Sequence, residues 1–375
     1  MYIVEVAGGL PSEKYPLIGI FELDQAKALS EIGNKVIYLS IDLRSLRRQR
    51  KFGFSKTIQK EILCYNYSFP LGRVPTIVLH TFNWIFFKKL YKKIVKENGN
   101  PDILHAHFGR NVGNVVYKAK EKFKINYIIT EHDSSIQDNL IAKWEKKSLK
   151  KIYHNSVGNI AVSLPFKNVL EHIYNENFKY VPNIVDLSSF SIPEEKQQKD
   201  GVFKFISVGN LNKGKNMAGL IDSFYELCNR GYDCTLDIIG RGEEKGRLEK
   251  KINDLQLQKK VFLRVQLSRA QINKAFLDKD CFALASKRET FGVVYIEAMA
   301  AGLPVVATIC GGPEGFINEK NGLLVDVGDG EQLINALESM IKDRQKYDKE
   351  EIRQFCVDNF SADVVANKII EVINA

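Results

Sequence analysis

The stretch "CFALASKRETFGVVYIEAMAAGLPVVAT" (Cys281–Thr308) decides the fold. It opens on one short apolar run, Cys281–Ser286, and closes on another, Pro304–Thr308, each the length of a strand. Between them Phe291–Ala301 is apolar at nearly every position and reads as a helix buried on all sides. A strand, a buried helix and a second strand make a parallel crossover. Two carboxylates interrupt the pattern: Glu289 just before the helix and Glu297 in its middle. A buried carboxylate is costly unless something pairs with it. The partner comes either from the protein or from a ligand.

The same alternation runs outward in both directions. In the second half the strand-like runs are "FKFISVG", "CTLDIIG", "KVFLRV", "CFALAS", "PVVAT" and "NGLLV"; in the first they are "YIVEVA", "KVIYLS", "DILHAH", "NYIIT" and "NIAVS". Helical patterns separate them, as in doubly wound α/β sheets. Between the halves, "YVPNIVDLSSFSIPEEKQQKDG" (Tyr180–Gly201) turns to Pro, Ser and charge and reads as an exposed connection. A chain of 375 residues fits two such domains. The expected organisation is a first domain over 1–189, a second over 190–355, and a C-terminal helix over 356–375 crossing back to the first. After Glu350 a single helix is expected.

A hydrophobic content of 45% with 26% charged residues is that of a protein with a full core. The six cysteines are scattered without a CxxC pair, which favours packed thiols over disulfides or zinc ligands. "MYIVEVAGGLP" lacks the basic flank of a signal peptide, and no apolar run is long enough to span a membrane. The expected location is therefore cytoplasmic, peripheral on the inner face of the cell membrane. Charge supports the peripheral reading: residues 1–190 hold 28 Lys and Arg against 17 Asp and Glu, whereas 191–375 hold 26 against 28. The excess concentrates in "RSLRRQRK" (Arg44–Lys51), "FFKKLYKKIVK" (Phe86–Lys96) and "KWEKKSLKK" (Lys143–Lys151). A one-sided basic surface points to an anionic partner such as a phospholipid membrane or a lipid phosphate. No aromatic-basic module for nucleic acid accompanies it. Thr76–Lys96 reads either as an interfacial helix or as an amphipathic helix packing its aromatic face on the core.

In doubly wound domains ligands sit at the C-terminal ends of the strands, where helix N-termini offer free amides. Four strand ends in the second half stand out. In "VGNLNKGKNMAGLIDSF" (Val208–Phe224), Gly209 and Gly214 permit a tight turn, while Lys213 and Lys215 bring cations to a helix start. Cations there oppose the helix dipole unless an anion joins them. "DIIGRGEEKG" (Asp237–Gly246) has the spacing GxGxxxG, a weak dinucleotide signal with no acid on the next strand. The third is the opening stretch. The fourth, "ATICGGPEGFI" (Ala307–Ile317), carries an anion-friendly glycine turn. A nucleotide-sugar across these ends would meet the helix amides at Phe291–Gly292, with Glu297 on the ribose hydroxyls, Glu289 on the sugar and Lys215 on the diphosphate leaving group.

These residues resemble the signature of the group 1 retaining glycosyltransferases. The pattern is Glu289, Phe291, Gly292, Glu297, Ala298, Gly302 and Pro304-Val305-Val306, with carboxylates eight positions apart. "VPNIVDLSSF", "VGNLNKGKN" and "GGPEGFI…NGLLV" resemble further segments of the family, as do "DILHAHFG", "TEHDSS" and the first glycine turn and helix in the N-terminal half. The resemblance implies a GT-B fold, two Rossmann-like domains facing each other across a cleft. It implies transfer of a hexose or N-acetylhexosamine from a nucleotide-diphosphate sugar, UDP by family frequency, to a glycan acceptor, with retention and without metal or cofactor. Enzymes of this kind build capsular, exopolysaccharide and other cell-surface glycans. Carried over, Gly19, Gly209, Asn210, Lys215, Glu289, Phe291, Gly292 and Glu297 would bind the donor. His107, Lys215 and Glu289 would line the reaction centre, and His132 would stand on the acceptor side. Asn210 departs from the family, many members of which have Arg there, so the diphosphate clamp loses a charge.

"HAH" places His105 and His107 on one side of a strand, a spacing that also suits a metal, but only His107 is at the strand end. The pair Asp278 and Asp280 precedes a strand, the wrong end for a metal-nucleotide site. Two other functions compete: an NADP-linked oxidoreductase built on Gly240–Gly246 with Arg264 or Arg269, and a non-catalytic GT-B subunit. The first leaves Glu289 and Glu297 unexplained.

Overall fold

Apolar runs that are buried on both faces become parallel strands, and the helices between them cover the sheets. A computed structural model describes all residues except 16–17, 45–51, 72–73, 138–139, 188–189, 193–200 and 266. The basic run Arg44–Lys51 lies outside the described residues apart from the backbone of Arg44, and so do residues 188–189 and 193–200 of the expected connection Tyr180–Gly201.

The chain divides into two units, Met1–Ile184 with Ala362–Ala375, and Val185–Ser361. The first unit begins with β1 (Tyr2–Ala7), α1 (Ile20–Glu31), β2 (Lys35–Arg44), β3 (Gly53–Gln59), β4 (Ile62–Pro70) and α2 (Thr76–Asn98). It continues with β5 (Ile103–His107), α3 (Asn114–Phe123), β6 (Asn126–Glu131), α4 (Ser134–Gln137), α5 (Lys143–His154), β7 (Gly158–Ala161), α6 (Leu164–Tyr174) and β8 (Lys179–Tyr180). The strand order is β3-β4-β2-β1-β5-β6-β7-β8, parallel throughout except for β3.

The second unit holds β9 (Phe203–Val208), α7 (Met217–Asn229), β10 (Cys234–Ile239), α8 (Lys245–Asp254), β11 (Val261–Arg264), α9 (Arg269–Phe276) and β12 (Cys281–Leu284). After these come α10 (Val293–Ala300), β13 (Val305–Thr308), β14 (Gly322–Val325), α11 (Gly330–Lys342) and α12 (Lys349–Phe360). Its sheet is parallel, in the order β11-β10-β9-β12-β13-β14. The strand order reverses beside β1 and β5 in one unit, and beside β9 and β12 in the other. Such reversals are where an open α/β sheet offers a ligand crevice.

Two expectations need correction. The hairpin β3–β4 escapes the sequence reading because its turn, Lys60–Glu61, is left-handed at both positions (φ 47 and 67) without the glycine or asparagine that announces such a turn. The chain after Glu350 forms two helices, not one. Ser361 is extended (φ −63, ψ 157), so α12 stops and α13 (Ala362–Asn374) starts afresh. On α13, Val365, Ile369 and Val372 follow helical spacing and pack, with Ala366, into the core of the first unit beside α1.

For α2 the structure favours packing over much of its length: Phe86, Phe87, Leu90, Tyr91 and Ile94 are buried, and Phe86 stacks on Tyr67 at 4.0 Å. Ile77 and Ile85 remain exposed. All six cysteines carry free thiols. No helix among the described residues is long and apolar enough to cross a membrane.

Candidate active site

At the β9–β12 reversal of the second unit, the loop after β9 folds back on itself. The Lys215 backbone N–H donates to the Asn212 carbonyl (3.2 Å) and to Asn212 Oδ1 (3.1 Å), and Asn216 adopts a left-handed conformation to open α7. This aims the Lys215 ammonium at the loop after β12, where it pairs with Glu289 Oε1. The same oxygen accepts from Ser286 Oγ at 2.7 Å. The cation expected to want an anion therefore has one from the protein itself, and both side chains are only partly buried (22% and 10% exposed). Lys213 and Asn210 are exposed, and Gly209 ends β9 with its N–H on the Ile239 carbonyl.

Gly292, at φ +93, is the N-cap of α10. The Phe291 side chain is buried against Phe316 and Phe360, so only its backbone is left for a ligand. Gly312 lies so close to the Phe291 backbone that a Cβ would stand 2.6 Å from its carbonyl oxygen. Glu297 is half-buried rather than enclosed, unlike Ile296, Ala298, Met299 and Ala300 around it. The helix is thus not buried on all sides.

The glycine turn after β13 is not a vacant anion site. Glu314 accepts from the backbone N–H of Cys310 (3.2 Å) and of Gly311 (2.7 Å), filling it with the chain's own carboxylate. Nor do the first two glycines of the GxGxxxG segment need a dinucleotide to explain them. A Cβ at Gly240 or Gly242 would run into the backbone of Gly209 or Leu211, so these two serve loop packing, while Gly246 faces open space. Arg264 is engaged by Asp237 at 3.1 Å. Asp280 caps the Lys204 N–H (2.8 Å) and pairs with Arg344 before β12, a structural role.

In the first unit the strand ends beside β1 gather Glu5, His105, His107 and His132. Glu5 Oε1 stands 2.9 Å from His105 Nδ1, and Oε2 stands 2.7 Å from His107 Nε2. His105 Nε2 meets the Thr130 hydroxyl at 2.7 Å, and His107 Nδ1 lies 3.2 Å from His132 Nε2. Glu5, His105 and His107 could offer a metal three atoms within 4.8 Å of one another, but hydrogen bonds within the protein already use them. Both ring nitrogens of His107 are engaged and the residue is fully buried; His132 is half-buried. Gly19, the left-handed N-cap of α1, has no room for a side chain: a Cβ would sit 2.5 Å from the Gly9 carbonyl oxygen and 2.9 Å from the Tyr38 hydroxyl.

Glu131, fully buried, shapes this end of the sheet. It accepts from Gly109 N (2.9 Å), His132 N (3.0 Å), Asp133 N (3.0 Å) and the Tyr153 hydroxyl (2.7 Å). Sequence reading missed Glu5, Glu131 and Ser286. An acid inside "YIVEVA" or "YIITE" is a signal of the kind read at Glu297, and it applies equally there.

The sequence matches the family model described as "Glycosyl transferases group 1" over residues 189–354, and "Glycosyltransferase Family 4" over residues 23–189. The chain is a group 1 glycosyltransferase. This transferase is 24% identical over 291 residues to the alpha-monoglucosyldiacylglycerol synthase of Acholeplasma laidlawii, covering 70% of this chain and 72% of that protein. It is 34% identical over 167 residues (43% of each chain) to a Campylobacter jejuni enzyme, N-acetylgalactosamine-N,N'-diacetylbacillosaminyl-diphospho-undecaprenol 4-alpha-N-acetylgalactosaminyltransferase. Among solved structures, HepE of Anabaena in complex with UDP superposes with a TM-score of 0.75 at 18% identity, covering 100% of both chains. The glycosyltransferase thus has the GT-B fold, with two Rossmann-like α/β domains.

Proposed function

We propose that this glycosyltransferase moves a hexose or N-acetylhexosamine from a UDP-sugar to a lipid-linked glycan acceptor at the membrane face, retaining anomeric configuration and using no metal or cofactor. The observation that carries the donor reading is the Lys215–Glu289 pair beside Ser286 at the strand reversal of the second unit. An incoming diphosphate would compete with Glu289 for the Lys215 ammonium. Glu289, released, would accept hydrogen bonds from sugar hydroxyls. As the bond from the anomeric carbon to the diphosphate breaks, charge grows on the leaving oxygens, and a fixed cation there lowers the barrier. That is the work a metal ion does at other sites. Glu297, a turn and a half into α10, would hold the ribose, with the α10 N-terminus toward the phosphates. The UDP in the HepE structure supports the base. The glycolipid in the Acholeplasma enzyme's name and the diphospho-undecaprenol in the Campylobacter enzyme's name support a lipid acceptor class.

The test is a thermal-shift screen against UDP, GDP, CMP and NADP. Stabilisation by UDP is expected, with affinity about 10–100-fold weaker in Lys215→Ala through loss of a charge-assisted hydrogen bond. Glu297→Ala is expected to lose UDP binding while melting close to wild type. A shift with NADP alone, or none with any nucleotide, would overturn the donor reading. A mutant that melts far lower but binds UDP normally would make Glu297 a packing residue instead.

A further inference from the structure

The histidine cluster of the first unit is a directed chain of hydrogen bonds, and its direction follows from one carboxylate. Burial pushes the Glu5 carboxyl up in pKa, but the imidazoles of His105 and His107 outweigh it and hold it at about 2. Glu5 is therefore a carboxylate, which only accepts. His105 must donate from Nδ1 and His107 from Nε2. Burial, with neighbouring histidines, pushes His107 down and His132 well down, so both rings are neutral. A neutral His107 with its proton on Nε2 has a lone pair on Nδ1, and that lone pair faces His132 Nε2. His132 must then carry its proton on Nε2, leaving Nδ1 as an acceptor. No described residue hydrogen-bonds to that nitrogen.

Three further contacts hold the His132 ring and main chain. Its backbone N–H donates to Glu131 Oε1 at 3.0 Å. Its ring centroid lies 5.5 Å from that of His107 and 4.9 Å from that of Phe108. Phe108 itself has φ 66 and ψ 94, a conformation that is costly for a bulky residue. Strain of this kind persists where the surroundings over-determine a position, and here it places an aromatic ring against the half-buried end of the chain.

We propose that Glu5 is a positioning residue of the transferase: acting through His107, it fixes the tautomer of His132 so that Nδ1 accepts a hydrogen bond from a hydroxyl of the bound substrate. The proposal rests on the transferase reading given above. Histidine-15N-labelled protein at neutral pH should show His107 and His132 each as a single neutral tautomer protonated on Nε2. Glu5→Leu removes the carboxylate that fixes the His107 proton on Nε2, so His132 should become a mixture of tautomers. The kcat for sugar transfer should fall about 10–100-fold, with UDP affinity unchanged. His132→Asn, which keeps an acceptor oxygen near the Nδ1 position, should retain at least tenfold more activity than His132→Leu.

A wild-type spectrum with His132 protonated on Nδ1, or charged, overturns the proposal without needing any variant. So does equal activity of His132→Asn and His132→Leu, or an unchanged His132 tautomer in folded Glu5→Leu. Failure of UDP to bind wild type would sink the transferase reading while the tautomer spectrum still reports on the relay, so the two failures are distinguishable.

Discussion

Lys215 and Glu289 satisfy each other before any substrate arrives, and the histidines of the first unit do the same around Glu5. Such satisfied polar clusters leave a titration signature. A histidine in an unfolded chain takes up its proton near its ordinary value of 6.5, but burial makes His107, His132 and the half-buried His80 wait for lower pH. As pH falls through 6.5 the unfolded chain binds protons that the folded chain refuses, so stability falls. Glu5 acts in the same direction lower down, between its ordinary 4.5 and about 2. Glu131 opposes them, because burial raises its carboxyl and its cost eases on protonation. Besides these, His105 acts on His132 from the same cluster and also holds its proton uptake down. The expected outcome is a Tm that drops between pH 7 and pH 5, with a smaller drop in His132→Asn. Equal drops would mean that His132 titrates normally in the fold. At this scale the sequence exposed Glu289 and Glu297, because an acid in an apolar context is conspicuous. It hid the Lys215–Glu289 bond, since 74 residues separate the partners and no local pattern links them.

Secondary-structure elements were most legible where burial on both faces makes a run uniformly apolar. All six strands of the second unit coincide with the apolar runs read from the sequence, from "FKFISVG" to "NGLLV", although the edge strand β11 is itself half-exposed. The edge hairpin β3–β4 was not legible, because β3 is half-exposed, carries Lys56 and Gln59 among its apolar residues, and turns through Lys60–Glu61. The break between α12 and α13 is equally quiet in sequence: Ser361 interrupts a continuous amphipathic pattern without glycine or proline. Its consequence is large, since α13 contributes Val365, Ala366, Ile369 and Val372 to the core of the first unit. Truncating Ile369 to alanine should cost about 2–5 kcal/mol by denaturant unfolding. Asn367→Ala on the exposed side should stay within about 0.5 kcal/mol of wild type. Equal effects for the two variants would show that the helix does not dock through this stripe.

Over the whole molecule, charge is the least evenly shared property, and the fold gathers part of it. Helices α2, α3 and α5 pack side by side, and among the described residues Lys89, Lys92, Lys93 and Lys96 on α2, Lys118 and Lys122 on α3, and Lys143, Lys147, Lys150 and Lys151 on α5 are exposed. Beside the start of α5, Leu140 and Trp144 are 73% and 55% exposed, apolar groups standing among cations. Cations with an exposed indole and leucine suit an anionic lipid surface, where each lysine adds roughly 1 kcal/mol near the bilayer and an indole sits at headgroup level. Counter-charges such as Glu97, which takes Lys56 and Lys93, reduce the field without reversing it. The chain has two tryptophans, and Trp84 is shielded by Phe87 and Phe123, so a change in emission reports chiefly on Trp144. Vesicles containing phosphatidylglycerol should shift that emission to the blue and bind the protein, and added salt should weaken the binding because surface charges are screened. Trp144→Ser should abolish the shift and weaken binding. Equal binding to neutral phosphatidylcholine vesicles, or none to anionic ones at low salt, would leave the basic layer a solvated face and remove the membrane from the proposed function, while the donor site proposed in the second unit would be unaffected.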